Sequence, residues 1–240
     1  MLPINHLWYH AVNDQTKLDD VLKRIHQYQH QPAIEHHPNN SIDTDRSIVH
    51  SIEADIIFSA NKSTSVMGHP PDTDGELTLS SFLDQIGQAH FQSSNHTNAA
   101  DGYHVLKLDF KSMAALQYSF DAIKLYLSKL SIHLHQYVWI NADILAGPGE
   151  DLSDTEAQLK LQPKLDASEF LSLVTQQLPG TSLSIGWVTS LTDIRAPYTH
   201  EMVDEMIQLL EHYPSSVKVT FPVRATCFRI SWNALQRLYQ

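Results

Sequence analysis

The chain has 240 residues, a formal net charge of −11 and one cysteine. That length suits one large domain or two small ones, and an apolar share of 42% allows a sizeable core. The acidity excludes a general nucleic-acid binder, the lone cysteine excludes an intrachain disulfide and fits a reducing compartment, and no apolar run nears the roughly 20 residues of a membrane span.

The opening MLPINHLWYHAVN has no basic segment followed by an apolar one, so no signal peptide is read and the cytoplasm is expected. Residues 5–12 form a short aromatic strand, and Asn13 or Asp14 caps a helix in which Leu18, Val21, Leu22 and Ile25 keep helical spacing. Residues 29–47 are polar and proline-containing and read as a loop. A second strand covers 47–58, and a long loop with MGHPPDTDGE leads to a helix capped by Thr78. The third strand is 103–110, and its helix carries Leu116, Phe120, Ile123, Leu127 and Leu130 on one face. The fourth strand, 136–145, is followed by a polar loop and a helix with Phe170, Leu171, Val174 and Leu178. A fifth strand at 181–188 precedes a helix with Val203, Met206, Ile207 and Leu210. The sixth strand is 216–223. CFRIS, from Cys227, reads as a short extended piece or a loop, and a helix ends the chain.

Strict alternation of strand and helix implies an α/β protein with a parallel sheet and helices outside. No glycine-rich loop follows the first strand, which argues against a dinucleotide fold. Polar residues gather at the C-terminal ends of several strands, as in the mouth of a TIM-type β/α barrel rather than at one crevice of an open sheet. The reading is one β/α-barrel domain over 1–240. It is incomplete at its C-terminus, because about six strand–helix units are present where a closed barrel has eight.

The strand ends carry the chemistry. IEADI, LKLDFK and NADIL place polar groups two residues apart, hence on one face of each strand. Glu53, Asp55, Lys107, Asp109, Lys111, Asn141 and Asp143 can all face the barrel interior, where Lys107, Lys111, Asn141 and Asp143 are candidate substrate-binding residues. Glu53, Asp55 and Asp109 can share a hard divalent cation, which takes oxygen ligands and offsets their repulsion. Lys107 and Lys111 can instead balance them as a salt-bridged plug. His10 ends the first strand and His69 lies in the loop after the second; together they can act as general acid and base. Trp187 is either an apolar wall for a substrate or core filling. Arg224 is either an anion clamp or one half of an ordinary ion pair.

The motifs WYHAVN, IEADI, MGHPPDTDGELTL, LKLDFK, VWINADILAGPG, LSIGWVT and TFPVRA, in this order, resemble the menorin family over residues 8 to 235. The resemblance implies a barrel similar to the glycerophosphodiester phosphodiesterase and phospholipase C-like superfamily. It implies that Glu53, Asp55 and Asp109 hold Mg²⁺ or Ca²⁺, that His10 and His69 are the acid–base pair, and that Lys111 contacts phosphate. Two departures stand out. Ala11 follows His10 where that superfamily usually has arginine, and Asp109 stands where a glutamate is usual. The family continues with further strands, so a truncated product or short isoform is implied. The expected function is metal-dependent hydrolysis of a small or lipid-derived phosphodiester. The alternative is a non-catalytic module that binds a protein or anionic partner, extracellular as some family members are.

Overall fold

The computed structural model describes residues 6–29, 49–93, 105–149, 162–189 and 195–239. The expected loop at 29–47, except Gln29 at the end of the first helix, and most of the polar loop before Phe170 lie outside the described residues. The chain begins with β1 (His6–Tyr9) and α1 (Gln15–Gln29), then β2 (Val49–Ser59). A short strand, β3 (Thr64–Met67), turns back antiparallel on β2 within what the sequence reads as a loop. After α2 (Leu79–Ser93) come β4 (Val105–Phe110), α3 (Met113–Gln117) and α4 (Phe120–Ser128). The single helix expected after the third strand is thus broken, and Ser119 closes the break by donating its hydroxyl to the Ala115 carbonyl. The chain continues through β5 (Val138–Ala146), α5 (Ala167–Gln177), β6 (Ser182–Val188), α6 (His200–Leu210) and β7 (Val219–Thr220). Two short helices, α7 (Ala225–Phe228) and α8 (Trp232–Leu235), follow, so CFRIS begins in a helix and supplies no strand.

The six strands β1-β2-β4-β5-β6-β7 pair in this order, all parallel, with β3 off the path. The period of two sorts each strand into two faces. Ile52, Ala54 and Ile56 of β2, Leu106, Leu108 and Phe110 of β4, and Ile140, Ala142 and Ile144 of β5 all belong to the core beneath the helices. Their alternates face the concave side.

The sheet curls. Trp8 of β1 and Trp139 of β5 have two strands between them, which on a flat sheet is about 14 Å at ~4.8 Å per strand. Their ring centroids nevertheless lie 5.9 Å apart. The result is a partial β/α barrel with β1 and β7 at its two edges among the described residues. Among the same residues no helix is long and apolar enough to cross a membrane.

Candidate functional site

The concave side of the sheet carries a polar row fixed by strand register. Asp55 pairs with Asp109, Asp109 with Asn141, and Asn141 with Ser184. One step toward the strand N-termini, Glu53 pairs with Lys107 and Lys107 with Trp139. Every polar residue expected on these strands therefore stands on the predicted face.

Lys111 follows β4, anchored by its amide to the Ile56 carbonyl at 3.0 Å. Its ammonium lies 2.7 Å from Asp55 Oδ1 and 2.6 Å from Asp109 Oδ2. It therefore sits between the two aspartates that the sequence assigns to a cation. Lys107 holds Glu53 Oε1 at 3.0 Å, and His10 Nε2 lies 3.7 Å from Glu53 Oε2. Ser184 donates to Asn141 Oδ1 at 2.7 Å, and Asn141 bonds Asp109. One hydrogen-bonded row thus runs from β6 to β2.

The row extends to a residue that sequence reasoning assigned elsewhere. Asn13 donates to Asp55 Oδ2 at 2.7 Å and accepts from the Asp55 amide at 2.8 Å. It is free to do so because Asp14, not Asn13, caps α1 by accepting from the Lys17 amide at 2.8 Å. Ala11, at φ 55°, makes the turn after β1, where an L-residue is strained. Beyond it, Val12 is tied to the Glu53 carbonyl at 3.0 Å, which docks this turn on β2.

His69 is exposed on the loop after β3. The loop is latched to the site by the Gly68 amide, which donates to the Asp55 carbonyl at 3.0 Å. His69 Nδ1 lies 2.6 Å from the Pro70 carbonyl. A carbonyl only accepts, so Nδ1 carries a proton, and Nε2 is the nitrogen that holds the lone pair in the neutral ring. Asp74 and Lys62 hold the far side of the loop at 3.1 Å, and contacts from Ser59, the Gly75 amide and Lys62 lower the Asp74 pKa to about 2. Gly75 is required by close approach, since a Cβ there would lie 2.2 Å from the Met67 carbonyl oxygen.

The charges in the row are strongly perturbed. Burial alone would raise the Asp55 pKa, but the Lys111 charge and the hydrogen bonds from Lys111 and Asn13 outweigh it and lower it. For Asp109 burial wins over Lys111 and the pKa rises. Burial opposes the charge on Lys111, yet Asp109 and then Asp55 raise its pKa above the ordinary range. Asp143 is reached by solvent at the open side but is crowded by surrounding protein. That crowding, followed by the Asp109 charge, raises its pKa to about 6. Asp143 shares the lumen face of Asn141 by the period of two, and Gly186 opposite leaves room for its carboxylate.

Two expected site residues lie apart from the row. Trp187 is 2% exposed on the helix-facing side of β6, against Tyr198 and Phe221 with centroids at 5.2 and 6.3 Å. The sequence contains that answer, because Leu183, Ile185 and Trp187 share one face and Ser182, Ser184 and Gly186 the other. Arg224 follows β7 and donates its amide to the Tyr198 hydroxyl at 3.2 Å, while its buried Nη1 has no hydrogen-bond partner. On the lumen side the aromatic wall is instead Trp8 and Trp139.

The oxygen-rich donor set suits a hard cation chemically, and on and just beyond β2, β4 and β5 four carboxylates face two ammoniums. The groups are not drawn to one point, however. Among the described residues no three of His, Cys, Asp and Glu stand close enough to hold an ion. Lys111 occupies the space between the aspartates, and Lys107 draws Glu53 aside.

Fold and site together define a partial β/α barrel with an acid–lysine row at its mouth, flanked by two histidines. The Menorin N-terminal domain matches residues 4–240, and the chain belongs to the menorin family. It is similar to Protein FAM151B of Homo sapiens, with 30% identity over 233 residues, 95% of this chain and 66% of the relative. The chain thus spans just under two thirds of the length of that relative.

Proposed function

We propose that this chain forms the mouth of a metal-dependent phosphodiesterase-like centre acting on a small or lipid-derived phosphodiester. The observation that carries the reading is the placement of His10 and His69 on either side of one carboxylate–lysine row. His10 stands beside Glu53 at 3.7 Å, and His69 rides on a loop bonded to Asp55. In this reading His69 Nε2, with the lone pair of the neutral ring, takes the proton of the attacking water. His10 returns a proton to the departing oxygen, with Glu53 beside the imidazolium. The P–O bond to water forms as the P–O bond to the alcohol breaks. Lys111 meets the charge of the phosphoryl oxygens.

Glu53, Asp55 and Asp109 would hold Mg²⁺ or Ca²⁺. Bound there, the ion would polarise the phosphoryl group. Its entry requires Lys111 to leave the two aspartates, and the same movement presents the ammonium to phosphate. Asn141 and Ser184 hold Asp109 in place meanwhile.

Turnover of a panel of phosphodiesters with and without Mg²⁺ or Ca²⁺ tests the reading. Metal-dependent hydrolysis, lost in Glu53→Gln and in His10→Ala, is expected. Hydrolysis that persists unchanged in both variants would remove the assignment. Absence of hydrolysis by a folded wild type would favour the rival role, a module that binds a protein or anion through the same mouth.

A further inference from the structure

The lumen contains a cavity of about 340 Å³ to which every parallel strand contributes: Trp8, Glu53, Lys107, Trp139, Ser184 and Thr220, one from each. Phe221 and Pro222 close it beyond β7. That volume is at the small end for ligand pockets, about 300 Å³ upward, and suits a single ring.

Each polar side chain on its wall already has a partner. Glu53 and Lys107 pair with each other at 3.0 Å. Ser184 donates to Asn141 at 2.7 Å and Thr220 to the Leu183 carbonyl at 3.3 Å. The remaining surface is made by two indoles, a phenyl ring and a proline. Lys107, with one of its three N–H groups on Glu53, leaves polar capacity at one edge of the wall, while the greater part of the surface offers a flat apolar ring the faces of the indoles. The tryptophan rings touch at 5.9 Å and are tilted by 52°, so they form one angled wall rather than two jaws.

Position matters as much as lining. Glu53 and Lys107 belong both to this cavity and to the layer next to the Asp55–Asp109 pair. A group held at the mouth would therefore send a short arm straight into the cavity.

We propose that Trp8 and Trp139 wall a specificity pocket for a flat apolar ring, aromatic in the first instance, carried on the substrate's alcohol side. This rests on the phosphodiesterase-like reading for the substrate, while the ring-binding pocket itself does not depend on it.

The test uses the full chain labelled with ¹⁵N at its four tryptophans, Trp8, Trp139, Trp187 and Trp232, giving four indole N–H signals. Trp8→Phe, Trp139→Phe and Trp232→Phe assign three of them, and Trp187 is the fourth. Benzyl alcohol, a neutral probe, is expected to move the Trp8 and Trp139 signals saturably and to leave Trp187 and Trp232 in place. Phenylphosphonate is expected to bind about tenfold more tightly than methylphosphonate, roughly the contribution of one aromatic contact. Trp139→Ala should remove that advantage while an unmoved Trp187 signal reports an intact fold. No movement of the Trp8 and Trp139 signals with benzyl alcohol overturns the proposal, as does an unchanged response in Trp139→Ala. If benzyl alcohol binds and neither phosphonate does, the pocket stands and the phosphodiesterase reading falls.

Discussion

Replacing Lys111 by methionine removes the one cation between Asp55 and Asp109 while keeping most of the stem's packing. Breaking a buried ion pair by deleting one partner costs about 3–5 kcal/mol. The side chains of Lys111, Asp55 and Asp109 are 20%, 6% and 14% exposed, so water screens the triad in part and the lower end applies, about 3 kcal/mol at pH 8. The pH dependence follows from the shifts. In the wild type the Asp55 pKa is lowered, so its contribution is complete above the unfolded value near 3.8 and is lost as pH falls through the folded one. Without Lys111, burial and mutual repulsion dominate both aspartates and raise their pKa values. A raised carboxylate pKa penalises the folded state above that pKa, and the penalty fades as pH falls toward the unfolded value. The gap between wild type and Lys111→Met should therefore narrow from pH 8 to pH 5. Urea unfolding followed by circular dichroism measures it at both pH values. Adding Asp109→Asn to the variant should recover part of the loss at pH 8. A gap under about 1 kcal/mol that is equal at both pH values would refute the ion-triad reasoning.

Three further perturbations probe the supports of the site. Asn13→Ala removes two hydrogen bonds to Asp55, one of them to its charge, and should cost about 2 kcal/mol. Asp14→Ala removes only the α1 cap and should cost about 1 kcal/mol; the reverse ranking in urea unfolding would contradict the division of labour between these neighbours. Asp143→Asn should stabilise the chain, because a pKa raised to about 6 means the ionised form is disfavoured in the folded state. The gain should be full above pH 6, vanish near pH 4, and stay near 1 kcal/mol because solvent reaches the carboxylate. A gain that grows on acidification would contradict this sign. Gly75→Ala forces a Cβ against the Met67 carbonyl and should cost about 1–3 kcal/mol in urea unfolding while speeding amide exchange at Gly68; unchanged exchange would show that the loop absorbs the side chain without releasing its latch on Asp55.

The order of elements and the lumen face were legible in the sequence because both depend on period. Strands alternate at two residues, so Glu53 with Asp55, Lys107 with Asp109 and Asn141 with Asp143 declare a shared face by spacing alone. The Thr64–Met67 hairpin strand escaped because it is four residues long and half polar, with no alternation to read. The break at Ser119 escaped because a buried serine–carbonyl bond sets it, whereas the apolar residues on both sides keep helical spacing. What fills the space between the aspartates was a matter of distance. The sequence supplied both answers, a cation or Lys111, and only coordinates place the ammonium 2.7 and 2.6 Å from the two carboxylates. Of the two readings of Trp187, wall or core filling, its own strand alternation already points to the core, on the side of the helices. Trp139, two residues before Asn141, shared the lumen face throughout.

The account's central claim is that the carboxylate row is a working centre that exchanges Lys111 for a divalent cation, not a self-neutralised plug. Calorimetric titration of the folded chain with Mg²⁺ and Ca²⁺, beside Glu53→Gln and Asp109→Asn, tests it most directly. Saturable binding of one ion per chain, lost in both variants, is the predicted result. Heats no larger than dilution for a wild type shown to be folded would contradict the claim and leave the row as the salt-bridged interior of the barrel.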